Sequence, residues 1–375
     1  MTSLCCRVQP IVLLLVTAVA ACATARPRTP APPSQWTAYI ANEASDVVTR
    51  VSYTPDGAIE VLRSIPVGTP GRIDGPHGLA ISPDGRSWYV SLAHGIPGGR
   101  IAKYRVDGDS LVGRVGVGVF PTTVDVTPDG QYMFITNNNL HGEGASGISI
   151  IYAPTMTEVA RPVTCVLPAG GRLNATATRH YSVCAGSDQL VEVDTRAFTI
   201  TRRFSVTPQR DRVLAADVRG NGRGVTPATG SCTPSWSEPG RGLRARMVYV
   251  ACERTNEIVE IDTQLWQVAR RFDVGGSPRA VQIDAAGATL FAAVASDSAV
   301  AVIDLASGLV RARISTTQSG PHGMAITSDG RYLFVTSEGR GASRGGVDVI
   351  EISSLRRVAS AALGYSPGGI GILPH

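Results

Sequence analysis

The chain has 375 residues, of which 43% are hydrophobic and 17% charged, with a formal net charge of +5. That much apolar material supports a large folded core and excludes a wholly disordered polymer. The basic residues are scattered instead of blocked, so the excess reads as solvated surface and argues against a nucleic-acid partner.

In chain order, a targeting segment comes first. Arg7 gives a positive flank, residues 11–20 an apolar run, and Val19-Ala20-Ala21-Cys22 fits a bacterial lipobox. The run is shorter than the ~20 residues that span a bilayer. We expect residues 1–22 to be a lipoprotein signal segment with lipid attached at Cys22. The mature chain would then be extracytoplasmic, in the periplasm or on the cell surface, anchored to a membrane. Cleavage after Ala23-Thr24-Ala25 and secretion as a soluble protein is the alternative. Residues 23–35 (ATARPRTPAPPSQ) are Pro-rich and polar, the composition of a semi-rigid tether. Residues 36–375 are expected to form one domain.

That domain repeats itself. Turns SPDG (82–85), TPDG (127–130), TSDG (327–330) and DAAG (284–287) are each followed by an apolar run: WYVSL, MFITN, LFVTS and LFAAV. Looser copies are HYSVC (180–184) and VYVAC (248–252). A third segment ends in an acidic turn, as in VEVDTRAF (191–198), VEIDTQLW (259–266) and AVIDLASG (301–308), and a fourth follows, as in RRFDVGG (270–276). Short β-branched and aromatic runs bounded by turn residues predict four antiparallel strands per repeat. Gly in Asp-Gly supplies the positive φ of a tight turn, and the Asp residues cap backbone, which makes them turn formers and not catalytic acids.

Four short strands in ~40–50 residues are the signature of a propeller blade. Second strands fall near Tyr39, Tyr89, Phe134, Tyr181, Tyr249, Phe291 and Phe334. The expectation is therefore an all-β, seven-bladed β-propeller of four-stranded antiparallel blades. The chain starts on a second strand at Trp36 and ends on a first strand, SPGGIGILPH (366–375). The C-terminal strand should pair with the three N-terminal strands and close the ring.

With YIAN, FITN and FVTS on second strands, SPDG and TPDG at turns and VIDL or VEID on third strands, the chain resembles the YVTN-repeat (YncE-like) β-propeller family of secreted proteins. The resemblance covers the whole mature chain. It implies the fold and is nearly silent on activity, because blade sequence encodes packing while function sits in loops.

The candidate chemistry lies at one rim. GPHGLAISPDG (75–85) returns as GPHGMAITSDG (320–330), and the positions of His77 and His322 carry Thr122, Arg279 and Gly368 in other blades. Just past second strands stand Glu43 and Glu338, with His94 one residue further along. Ring closure should bring His77, His322, Glu43, Glu338 and His94 into one sector of the channel mouth. Imidazoles and carboxylates can hold one transition metal ion (zinc, copper or iron), with His77 and His322 as ligands, or act as base and acid without metal. The competing reading is that each His orders its PHG turn.

Gly-rich loops at 92–100, 137–147 and 337–346 are longer than the other turns and belong to the same sector. Asn137, Asn138, Asn139, His141 and Glu143 are candidate rim-loop binding residues. An insertion at 208–230 precedes a degenerate first strand, CTPSWSEP (232–239), and is expected to fold over the rim.

Of seven cysteines, Cys5 and Cys6 leave with the signal and Cys22 takes lipid, which leaves Cys165, Cys184, Cys232 and Cys252. Strand parity puts Cys184 and Cys252 on the same side of their blades and Cys232 on the other. A Cys184–Cys232 bridge is the preferred pairing, with Cys165 and Cys252 free; a one-residue slip would reverse this. No Gly-x-Ser-x-Gly elbow, Cys-x-x-Cys-His or HExxH occurs.

The leading functional expectation is a lipid-anchored binding or scaffold module for a cell-envelope protein or small ligand, monomeric, working through its rim loops. The alternative is a metal-dependent lyase or hydrolase, or a metal-handling accessory, built on the His/Glu cluster. Lactone hydrolysis, as in some propellers of similar repeat pattern, is a third class for which no catalytic set can be traced.

Overall fold

A computed structural model describes residues 35–95, 97–140, 145–207 and 231–374. The lipobox with Cys22, loop residues His141 and Glu143, and the insertion at 208–230 lie outside the described residues.

The architecture is a seven-bladed β-propeller. Blade 1 pairs Pro367–Ile372 with Trp36–Asn42, Val47–Tyr53 and Ile59–Pro66 in that order. The C-terminal strand thus closes the ring. The innermost strands of blades 2 to 7 are Pro76–Ile81, Pro121–Val126, Pro168–Leu173, Pro234–Pro239, Pro278–Ile283 and Pro321–Ile326. Each packs against the next, and the last packs against Pro367–Ile372.

All seven innermost strands begin with proline. Proline donates no hydrogen bond, so it is tolerated at a strand's first residue. The residue before each proline has positive φ: Gly75, Phe120, Leu167, Thr233, Ser277, Gly320 and Ser366. A left-handed kink followed by a bulge in the pairing therefore starts every inner strand. This device turns the strand's second residue toward the channel mouth.

The PHG phrase is now legible. Gly75 and Gly320 take the left-handed kink at φ 61 and 68. Pro76 and Pro321 start the strands. A Cβ on Gly78 would collide with the Thr122 carbonyl, and one on Gly323 with the Gly368 carbonyl, because the inner strands nearly touch there. Only the histidine is left unexplained by the backbone.

The turn acids behave as expected. Asp84 accepts from Ser82 Oγ (2.6 Å) and Arg86 N (3.0 Å), and Asp194 from Arg196 N and Ala197 N (2.9 Å each). Between blades the core is apolar and aromatic. Tyr39 of blade 1 stacks on Trp88 of blade 2, which stacks on Tyr104, with centroids 5.2 and 4.1 Å apart. Buried Asp109 ties this stack together, accepting from Tyr39 Oη (2.9 Å) and Trp88 Nε1 (3.2 Å).

The cysteine expectation is corrected: the bridges are Cys165–Cys184 and Cys232–Cys252, and no Cys184–Cys232 bridge forms. Parity holds for Cys184, packed toward blade 3 with Phe134 and Ile148, and for Cys252, packed toward blade 4 with Val183 and Leu190. It fails for Cys232, which is not in the strand: Thr233 has φ 47 and the register shifts between Pro234 and Trp236. Asp188 then holds Cys232 N (3.0 Å) and Thr233 N (3.0 Å), turning Cys232 toward the same side as Cys252. Cys165 reaches Cys184 on a short extra strand, Val163–Cys165, folded back on blade 3.

Candidate functional site at the channel mouth

The second residues of the inner strands form a ring around the mouth: Gly368, His77, Thr122, Ala169, Ser235, Arg279 and His322. The residues just past the second strands form a ring outside it, including Glu43, Asn138, Glu253 and Glu338. Between the rings lies a cavity of about 350 Å³, lined by His77, His322, Arg279, Glu253, Asn138 and Trp236 among others.

Glu43 is the hub. Its Oε2 is 2.7 Å from His77 Nδ1 and its Oε1 is 2.7 Å from His94 Nε2. Burial pushes the Glu43 carboxyl up, but hydrogen bonds from His77 and then His94 outweigh it and bring the pKa down to about 2. For His77, burial works against protonation, yet the Glu43 hydrogen bond and charge, helped by Glu338, raise its pKa above the ordinary value. Nδ1 of His77 is thereby fixed as a donor to carboxylate, which leaves Nε2 as the nitrogen available to a ligand. Phe120, at the left-handed kink, packs 5.8 and 5.6 Å from the His77 and His94 rings.

His322 is a different kind of histidine. Its ring meets His77 edge-on at 5.6 Å, and the nearest carboxylate atom, Glu338 Oε1, is 3.9 Å from Nε2. Its Nδ1 is buried without a partner. Burial, opposed by Glu338, drives its pKa down to about 4. It is therefore neutral at pH 7 beside a His77 that holds a proton more readily. Gly368 leaves the room for this ring, since a Cβ there would come within 3.3 Å of Nδ1. Arg279 Nη1 is held at 2.7 Å by Glu338 Oε2.

The five expected mouth residues do converge. The expected metal set does not: among the described residues no group of three or more His, Cys, Asp or Glu is arranged to hold a metal ion. Glu43 spends one oxygen on each of two histidines, and the His322 Nδ1 is buried. The donors present do not fit a resident zinc, copper or iron.

Of the rim-loop residues, Asn137 is corrected to a structural role. It is fully buried, and its amide donates to Gly147 O and Ser149 Oγ, both at 3.0 Å. Asn138 donates to Pro168 O at 2.9 Å and lines the cavity, while Asn139 takes φ 61 to turn the loop. Glu253 was missed. Burial raises its pKa, opposed by Arg279 and reinforced by Glu338. Its place just after VYVAC, matching Glu43 and Glu338, was the available signal.

The ring of blades and its mouth define a seven-bladed β-propeller with an axial cavity at the mouth. A family model described as "Lactonase, 7-bladed beta-propeller" matches residues 27–141, the stretch that holds Glu43, His77 and His94. Among solved structures, the chain is similar to a functionally unknown protein from Desulfotomaculum acetoxidans DSM 771, with TM-score 0.67 and 14% identity over 90% of this chain and 99% of that one. It is also similar to Kuenenia stuttgartiensis hydrazine synthase, with TM-score 0.57 and 17% identity over 76% of this chain and 81% of that one. At such identities the likeness shows the fold alone. No curated protein matches the sequence.

Proposed function

We propose that this chain is an extracytoplasmic, lipid-anchored binding module that captures a small, polar, uncharged ligand at the His77/His322 mouth. The observation that carries this reading is the cavity of about 350 Å³, in the size range of small-molecule sites, with a mostly apolar lining that includes Trp236 and a few convergent polar groups. Two of its basic groups already face carboxylates, His77 the side chain of Glu43 and Arg279 that of Glu338, and Glu253 lines the same cavity. An anionic ligand would meet Glu253 and a cationic one Arg279, whereas a neutral hydroxyl, amide or ester can use the Nε2 of His77 without opposing either charge. Two cystine bridges favour an oxidising compartment, and the lipobox favours an anchor.

The test is a thermal-shift screen of the mature domain with neutral sugars, amides and lactones beside charged analogues. A neutral binder whose shift disappears in His77→Ala/His322→Ala, with the fold intact by circular dichroism, supports the reading. Charged ligands alone, or shifts unchanged in the double variant, would overturn it.

A second reading has its own support. The Glu43–His77 pair has the arrangement of a general base oriented by a carboxylate, inside the stretch matched by the lactonase model. If a lactone found in the screen is also hydrolysed, with loss of turnover in His77→Gln, the module is an esterase-type enzyme.

A further inference from the structure

The axial channel is divided. Near its middle it narrows to about 40 Å³ between Leu79, Met324, Ile370 and an Arg172–Trp236 pair, whose guanidinium carbon sits 4.3 Å from the indole centroid. Beyond this partition a second chamber of about 360 Å³ opens at the opposite end. Its wall comes from the fifth residues of the inner strands. These are small on blades 7, 1 and 2, but Asp125, Arg172, Glu238 and Gln282 on blades 3 to 6.

Four ionisable groups line the chamber: Asp125, Glu238, Arg172 and Arg241. They feel one another's charge, yet among the described residues none is in ion-pair contact with another. Asp125 is held by its backbone neighbours Leu173 N (2.6 Å) and Val126 N (3.2 Å). Glu238 is only 2% exposed. Its Oε2 receives long hydrogen bonds from Trp236 Nε1 (3.4 Å) and Gln282 Nε2 (3.5 Å), and among the described residues its Oε1 receives none. Among the described residues, the side chain of Arg172 donates a single hydrogen bond, to Gly171 O at 3.4 Å.

A buried acid and a neighbouring guanidinium, both with unused hydrogen-bonding capacity, are costly unless something completes them. A simple cation would meet Arg172. A simple anion would meet Glu238 and Asp125. One molecule that carries both charges satisfies both sides.

We propose that this chamber is a second binding site, for a small ammonium–carboxylate zwitterion such as a free amino acid. Its ammonium donates to Glu238 Oε1, and its carboxylate accepts from Arg172 and Arg241. Trp236 is the shared wall: its ring lines the His-bearing mouth while its Nε1 reaches Glu238. The proposal is independent of what the first mouth binds.

The experiment is titration calorimetry of the unmodified domain with glycine, β-alanine, γ-aminobutyrate and 5-aminovalerate, and with n-butylamine and butyrate as single-charge controls. At least one zwitterion should bind about tenfold or more tightly than either control. Glu238→Gln, which keeps shape and removes charge, and Arg172→Gln should each weaken it by about tenfold or more. His77→Ala should change nothing. Acidification through pH 7 should weaken binding too, because burial pushes Glu238 up to about 7, against Arg172 and Arg241 and with Asp125. Failure of all four zwitterions, equal binding of the controls, or full binding by Glu238→Gln would each overturn the proposal.

Discussion

The carboxylate of Glu43, on the blade that the two ends of the chain build together, lies 2.7 Å from Nδ1 of His77 on the following blade. This contact and the 2.7 Å contact of Glu43 Oε1 with His94 Nε2 join the closing blade to its neighbour at the mouth, and the first of them shifts the protonation of both Glu43 and His77. Its effects are measurable as a function of pH.

The folded pKa of His77 is raised, so the stabilisation is full below its ordinary value of 6.5 and is lost as pH rises through the folded value. The folded pKa of Glu43 is lowered from 4.5 to about 2, so the same contact is present above 4.5 and lost as pH falls toward 2. Glu43→Gln should therefore cost most between pH 4.5 and 6.5, about 1.5–3 kcal/mol for a hydrogen bond to a charged group. Urea midpoints of the two proteins should converge above that window. A difference that stays constant from acid to alkali would show that Glu43 acts through packing.

Each cystine closes a loop of about 20 residues, which constrains the unfolded chain by about 3 kcal/mol. Non-reducing peptide mapping should recover Cys165 linked to Cys184 and Cys232 linked to Cys252. Cys232→Ser with Cys252→Ser should lower the urea midpoint accordingly without altering blade content. A peptide joining Cys184 to Cys232 would restore the pairing expected from strand parity.

Gly78→Ala and Gly323→Ala put a methyl group against neighbouring backbone that cannot move without shifting a blade. Overpacking of this kind costs about 1–3 kcal/mol or more. Gly368→Ala meets the His322 ring at 3.3 Å and the His77 carbonyl at an ordinary contact distance of 3.9 Å, and should cost clearly less. Thermal melts of the three variants in parallel would give this order; equal melting temperatures would disprove close strand approach as the reason for the glycine in PHG.

Asp109 satisfies the buried Tyr39 hydroxyl and Trp88 indole and sits 3.6 Å from Arg50. Asp109→Ala leaves both donors buried without an acceptor, about 1–3 kcal/mol each. Because Tyr39 and Trp88 lie on blades 1 and 2, the loss should appear first as faster hydrogen exchange in residues 36–66, where the ring closes.

The four-stranded blade plan, the blade number and ring closure were legible in the sequence, because alternating apolar residues and Asp-Gly turns are local signals that recur at a fixed period; the extra strand Val163–Cys165 was not. The convergence of His77, His322, Glu43, Glu338 and His94 followed from that arithmetic as well. The rest depended on geometry that no local pattern carries. Cys232 pairs with Cys252 because a left-handed residue and a bulge break strand alternation just where parity was being counted. Asn137 is buried because the second strand runs one residue longer than its rim-loop reading assumed.

The chamber around Asp125, Arg172 and Glu238 was invisible in the sequence for the same reason. These residues lie tens of positions apart, each an ordinary polar residue near the end of a first strand. What the sequence by itself determined is the propeller, since every blade buries its own periodic apolar face against the next. Which side chains share a cavity was decided only by closing the ring, because closure places the same strand position of seven blades around one axis.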